Sequence, residues 1–270
     1  MGASQPPDVP PTAGARILHH EEEVMGTIVT IDLYGDSSGA DALRPSVELA
    51  VESLHDADKV FSTWKPESPL SRLRRGEIDL ATAPGEVHEV LEACAAAREL
   101  SQGWFDPWAS PGGVDPTGYV KGWAAQRALH LLLRAPVFGA VVNAAGDIAT
   151  FGFPAENASF HVGITNPLAR KEMIAIVAPT GCIATSGTYE RGPHLFDPHS
   201  GDFVSRLASA SVTGPDLGLA DAFATALAVA GIDFLSVIED TAEFEAFVVT
   251  DDGERQWTSG FPFVALASPE

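Results

Sequence analysis

The chain has 270 residues, 45% of them apolar, and a formal net charge of −21 from 37 acidic against 16 basic residues. That is material for one large folded unit or two small ones with a buried core. So few cations leave no basic stripe for nucleic acid or for an anionic membrane surface, although a nucleotide held through a metal, backbone amides and one or two cations stays compatible with the charge.

Cys94 and Cys182 stand far apart in apolar surroundings without CxxC or metal-ligand spacing. This predicts buried free thiols in a reducing compartment. No basic stretch followed by an apolar one opens the chain, and no later run approaches the roughly 18 apolar residues of a membrane span. The expectation is a cytoplasmic protein with no membrane anchor. Met1-Gly2 is not a myristoylation start, because Pro6 occupies the place of the required Ser or Thr.

Residues 1 to about 20 are Pro-rich and aperiodic, which predicts a disordered or loosely docked tail, with 21–270 forming one domain. "EVMGTIVTIDLYG" reads as a strand ending at Gly35-Asp36. A helix follows from about Pro45 to Phe61, with Val47, Val51, Leu54 and Phe61 at helical spacing. "FSTWKPESPLSRLRRGE" reads as a loop, in which Trp64 either stacks on a planar ring or caps the edge of the core. Thr82 to Ser101 reads as a second helix, with Pro84 in its first turn and Val87, Val90, Leu91 and Cys94 facing inward.

"WFDPWASPGGVDPTGYVKG", Trp104 to Gly122, reads as a Gly-rich loop before a third helix that runs to Arg134. Glycines ahead of a helix let backbone groups approach a pyrophosphate or its metal, and a lysine adds a point charge; an ordinary surface loop is the alternative. Neither the P-loop nor the Rossmann spacing is present. From Val137 short β-like runs dominate. Then comes the Ala-rich "LADAFATALAVAG", a short helix "DFLSVIED" and a hairpin in "FEAFVVTDDGERQWTS". Helices in the first half and strands in the second predict an α+β fold with mixed or antiparallel sheets and packed helices.

Asp221 and Thr225 lie four residues apart in that Ala-rich run, so a helix sets both oxygens on one face. They suit a hard cation. The alternative is a structural Thr and an Asp that complements the helix dipole.

Five stretches in order, "VMGTIVTIDL", "FSTWKPESPLSRL", "VDPTGYVKGWAAQRA", "NAAGDIA" with "ATSGTYER", and "HLFDPHSG" followed by "LADAFATALAVAG", resemble the FAD:protein FMN transferases, the ApbE-like family. The resemblance implies an ApbE-like fold and Mg²⁺-dependent cleavage of FAD. FMN would pass to a Thr or Ser hydroxyl of an acceptor protein, and AMP would leave. Carried over by motif, Asp221 and Thr225 hold Mg²⁺ with the main-chain carbonyl of Gly118. Lys121 contacts FAD phosphate, and Met25, Trp64, Asp106, Asp115 and Phe196 line the cofactor. His194 is implied as the base for the acceptor hydroxyl; its alternative is a turn histidine bonded to Asp197. Ser186 and Thr188 lack the His/Asp spacing of a nucleophile.

Two departures from the family pattern stand out. Only Trp108 to Val114 separates "FDP" from the loop with Lys121, and the usual Gly-Gly-Asp is Ala145-Gly146-Asp147. The short segment removes surface that shapes substrate access. Two other readings keep an FAD pocket: a flavin-binding or flavin-trafficking module, and an Mg²⁺-dependent FAD pyrophosphatase.

Overall fold

The computed structural model describes residues 16–35, 40–187, 195–204 and 206–267. Strands β1 (Arg16–Val24) and β2 (Thr27–Tyr34) form an antiparallel hairpin. The expected first strand is therefore two, and β1 begins at Arg16, inside the stretch read as tail. The break is Met25-Gly26, where φ of 55° and 70° makes a two-residue turn of left-handed residues whose twist matches the right-handed twist of the paired strands. Methionine is not a usual turn residue, so the alternating pattern runs through it unmarked.

Helix α1 (Ala40–Phe61) carries Pro45 in its interior and buries Val47, Leu54 and Phe61. The Trp64 stretch contains a short helix, α2 (Pro69–Arg74), started by Ser68, whose hydroxyl accepts the Ser71 N–H at 3.0 Å. Helix α3 (Gly85–Leu100) follows with Pro84 at its cap. Helix α4 (Thr117–Leu132) starts earlier than expected, so Gly118, Lys121 and Gly122 lie in its first two turns and not in a preceding loop.

The strands β3 (Gly139–Ala144), β4 (Asp147–Gly152), β7 (Cys182–Gly187), β10 (Ser209–Gly214), β11 (Glu245–Val249) and β12 (Arg255–Trp257) join β1 and β2 in an eight-stranded sheet of order β1-β2-β3-β4-β7-β10-β11-β12. Its pairs are antiparallel. Strands β5 (Val162–Thr165), β6 (Met173–Val177) and the unforeseen β13 (Phe263–Leu266) form a second, antiparallel sheet, and β8 (Leu195–Phe196) pairs with β9 (Phe203–Val204). Helices α5 (Leu217–Ala230) and α6 (Leu235–Glu239) lie between β10 and β11 in the chain.

Period-two alternation divides the core. On β7 and β11, Cys182, Ala184, Ala246 and Val248 face the larger core beneath α1, α4 and α5, whereas Ile183, Phe247 and Val249 face the smaller core shared with Ile164, Ile174 and Val177. Helix α5 is buried nearly all round, Phe223 and Leu227 completely. Each such side chain contributes roughly 1.5–3 kcal/mol. An α+β fold of packed helices on antiparallel sheets is what the sequence pattern predicts. Among the described residues no helix is long and apolar enough to cross a membrane.

Candidate functional site

Helices α4 and α5 cross at glycines. A Cβ on Gly122 would collide with the Leu217 carbonyl oxygen, and one on Gly218 would stand 2.7 Å from the Tyr119 ring. Absent side chains let the backbones approach. One consequence is that Gly118 lies against Thr225, where an added Cβ would stand 3.1 Å from Thr225 Oγ1. Another is that Asp221, on the turn before Thr225, accepts the Gly122 N–H.

Asp221 is in the second turn of α5, and the capping role belongs to Asp216, whose carboxylate accepts the Leu219 N–H at 2.7 Å. The dipole explanation for Asp221 therefore loses its basis. The residue is 4% exposed, and its Oδ2 finds no hydrogen-bond donor among the described residues. Burial, then the neighbouring charge of Asp147, push its pKa up to about 8 against the opposing pull of Lys121 and the Gly122 N–H. A buried carboxylate oxygen without a donor is costly unless another positive group arrives.

Asp147 opens β4 with its side chain 1% exposed, and its Oδ2 is 2.6 Å from Lys121 Nζ. Its Oδ1 accepts the Thr185 N–H at 3.3 Å. Beside them Ser186 Oγ stands 3.4 Å from Thr225 Oγ1. Sequence reasoning gave neither Asp147 nor Ser186 a part in the site. The Ala-Gly-Asp motif was the signal for Asp147, but its proximity to α4 depends on strand pairing that no local pattern encodes.

Lys121, Thr185, Ser186, Asp221 and Thr225 form one wall of a cleft of about 1030 Å³. Gly118, Lys121, Asp221 and Thr225 line it together. Met25 on the β1–β2 turn, Trp64, Asp106, Asp115 and Phe196 line it as well, so every expected site residue among those described faces the same space. His194 lies outside the described residues. Trp64 is 93% exposed, which removes the reading of it as a cap on the core.

Two of the acids already have protein partners. Asp115 accepts the Thr117 N–H and hydroxyl at 3.1 and 2.7 Å through Oδ1, and Arg74 through Oδ2 at 3.2 Å. Arg74 also donates to the carbonyls of Gly112 and Pro111, fastening the short segment before α4. Asp106 accepts Arg98 Nε at 2.6 Å and the Trp108 N–H at 2.9 Å.

The β8–β9 hairpin is pinned by Asp197. This wholly buried carboxylate accepts the N–H groups of His199 and Ser200 and Arg206 Nη2 at 2.9 Å. Burial would raise its pKa, but those donors and the guanidinium outweigh it and hold it below the usual carboxylate range. Arg206 also donates to the Val229 carbonyl, tying the hairpin to the end of α5.

Among the described residues no group of three or more His, Cys, Asp or Glu is arranged to hold a metal. A cation beside Asp221 would therefore meet carboxylate, hydroxyl and carbonyl oxygens, a hard and sparse donor set of the kind that suits Mg²⁺, which keeps several waters. The donorless Asp221 Oδ2 fits that ion. A second cavity of about 600 Å³, between β1 and α1, holds none of the expected residues.

The fold is shared with solved structures. The flavin transferase ApbE from Vibrio cholerae superposes with a TM-score of 0.76 at 19% identity, over 90% of this chain and 97% of that one. An ApbE protein from Thermotoga maritima gives 0.78 at 21% identity over 90% and 97%. The apo form of the Pseudomonas stutzeri flavinyl transferase ApbE gives 0.73 at 21% identity over 90% and 95%. A curated FAD:protein FMN transferase of Rhodobacter capsulatus is 31% identical over 150 residues, 52% of this chain and 28% of that protein. The chain thus spans less than a third of that relative's length. The sequence pattern of the ApbE family matches residues 25–112 and 108–248, and with the cleft formed from those two stretches the chain belongs to the ApbE family.

Proposed function

We propose that this chain is an Mg²⁺-dependent FAD:protein FMN transferase. The observation that carries the reading is the buried Asp221 Oδ2, lacking a donor, beside Thr225, Gly118 and the Lys121 ammonium at the wall of one cleft. Asp221 and Thr225 would hold Mg²⁺ through side-chain oxygens and Gly118 through its carbonyl. When bound, the ion offsets the charge of the pyrophosphate and of the leaving phosphate.

Lys121 binds a phosphate oxygen. The one-third exposure of its side chain leaves its ammonium accessible from the cleft while Asp147 grips it from below. Met25, Trp64 and Phe196 supply apolar surface for the flavin rings, and Asp106 and Asp115 shape the nucleotide side. His194 takes the proton of an acceptor Thr or Ser hydroxyl, assistance worth roughly 10²- to 10⁴-fold. The hydroxyl oxygen bonds to the FMN-side phosphorus, the bridging P–O bond breaks, and AMP leaves with the electron pair.

The acceptor is a protein, since the relative's name specifies a protein substrate. The compartment is cytoplasmic, supported by two buried free thiols. The test is incubation with FAD and Mg²⁺, with and without an acceptor protein bearing a flavinylation Thr. AMP release together with FMN fixed covalently on the acceptor supports the proposal. AMP with free FMN in both cases makes the chain a pyrophosphatase, and unchanged FAD makes it a flavin-binding module.

A further inference from the structure

The turn between β3 and β4 has two residues, Ala145 and Gly146, both left-handed at φ 53° and 95°, and the Gly146 N–H is held by Asn143 Oδ1 at 2.8 Å. This fixes the register Ala144↔Asp147 and Asn143↔Ile148. Successive side chains point to opposite faces, so Ile148 packs toward the smaller core and Asp147 toward the helices. There Asp147 meets Lys121, one turn beyond Gly118 on α4, and the neighbouring Thr185 N–H steadies its other oxygen. Lysine has a flexible four-carbon stem and no fixed fork of donors, so on its own it places its charge poorly. A buried carboxylate 2.6 Å from its nitrogen removes that freedom.

We propose that Asp147 is a positioning residue for the phosphates of FAD: it acts through Lys121, fixing the ammonium at the cleft wall beside Asp221. The inference rests on the reading of Lys121 as a phosphate contact. It predicts that Asp147 matters to ligands that carry phosphate and is indifferent to those that do not. A merely structural salt bridge between β4 and α4 would make no such distinction.

The test is FAD and riboflavin affinity, read by flavin fluorescence in saturating Mg²⁺, for the parent, Asp147→Asn, Lys121→Met and the double variant, with circular dichroism checking that each is folded. Losing a charge-assisted contact weakens FAD binding about tenfold or more in Lys121→Met. Asp147→Asn is expected to lose a comparable factor, the double variant to bind no worse than Lys121→Met, and riboflavin to bind all four alike. Parental FAD affinity in folded Asp147→Asn, equal losses for riboflavin and FAD, or multiplying losses in the double variant would overturn the inference. If Lys121→Met itself binds FAD like the parent, the phosphate reading of Lys121 is wrong and the inference falls with it. Should Asp147→Asn not fold, Asp147→Glu keeps the charge but displaces it by a methylene. An FAD affinity between those of the parent and Lys121→Met supports the inference, and parental affinity overturns it.

Discussion

Gly122 of α4 and Leu217 of α5 meet backbone to backbone, with no room for a Cβ on the glycine. That contact sets the spacing of the two helices whose residues Gly118, Asp221 and Thr225 share the cleft wall. Gly122→Ala is expected to force the helices apart, at a cost of about 1–3 kcal/mol for overpacking. Urea unfolding reads the loss. The thermal shift on adding Mg²⁺ should shrink in the same variant, because the displaced helices no longer present their oxygens together.

Asp221→Asn trades stability against ion binding. An amide keeps an acceptor for the Gly122 N–H and removes a buried charge that has no donor at Oδ2. In the absence of divalent ions at pH 8 the variant should be more stable than the parent, by about 1–3 kcal/mol, the usual penalty of an unsatisfied buried group. Mg²⁺ should raise the melting temperature of the parent and leave that of the variant unchanged. A variant still stabilised by Mg²⁺ would place the ion elsewhere.

The same residue fixes a pH dependence. A carboxyl whose pKa rises from its ordinary value of 3.8 to about 8 on folding holds its proton more tightly in the folded state. Its contribution therefore favours the fold in acid and is lost as pH rises toward about 8. Metal-free parent and Asp221→Asn should have similar relative stability near pH 4 and diverge progressively up to pH 8, the parent falling behind. Melting curves across that range check the sign; a gap that narrows with pH would contradict it.

Ala145 occupies a left-handed conformation, φ 53°, that glycine adopts without steric cost. Ala145→Gly restores the Gly-Gly-Asp pattern usual for the family. It should be neutral to stabilising by up to about 1 kcal/mol, because relief of strain offsets the added freedom of the unfolded chain. FAD binding should not change, since the turn keeps the Asn143 bond to Gly146 that sets the register of Asp147.

How much of this was legible in the sequence differs from residue to residue. Asp221 and Thr225 could be paired from their spacing alone, because a helix brings i and i+4 together whatever surrounds it. The first two turns of α4 could not be read as helix. Gly118 and Gly122 carry poor helix propensity, and it is the crossing with α5, a tertiary fact, that makes glycine the residue required there. The Met25-Gly26 turn escaped because its first residue gives no turn signal. Asp147 was visible as part of a motif but silent about its partner, Lys121, 26 positions earlier in the numbering and joined to it only by the folded sheet and helix. The family motif marks Asp115 as a ligand of the cofactor, and the structure adds that both its oxygens already serve Thr117 and Arg74.

The cleft is assembled from residues as early as Met25 and as late as Thr225. On a ribosome, the residues of β1, β2 and α1 emerge while most of the chain is still unmade. The cleft wall is incomplete until α5 has emerged and laid its backbone against Gly122. A chain stalled before that point carries Met25, Trp64 and Lys121 but neither Asp221 nor Thr225, so the oxygens read as cation ligands are the last part of the cleft to be made.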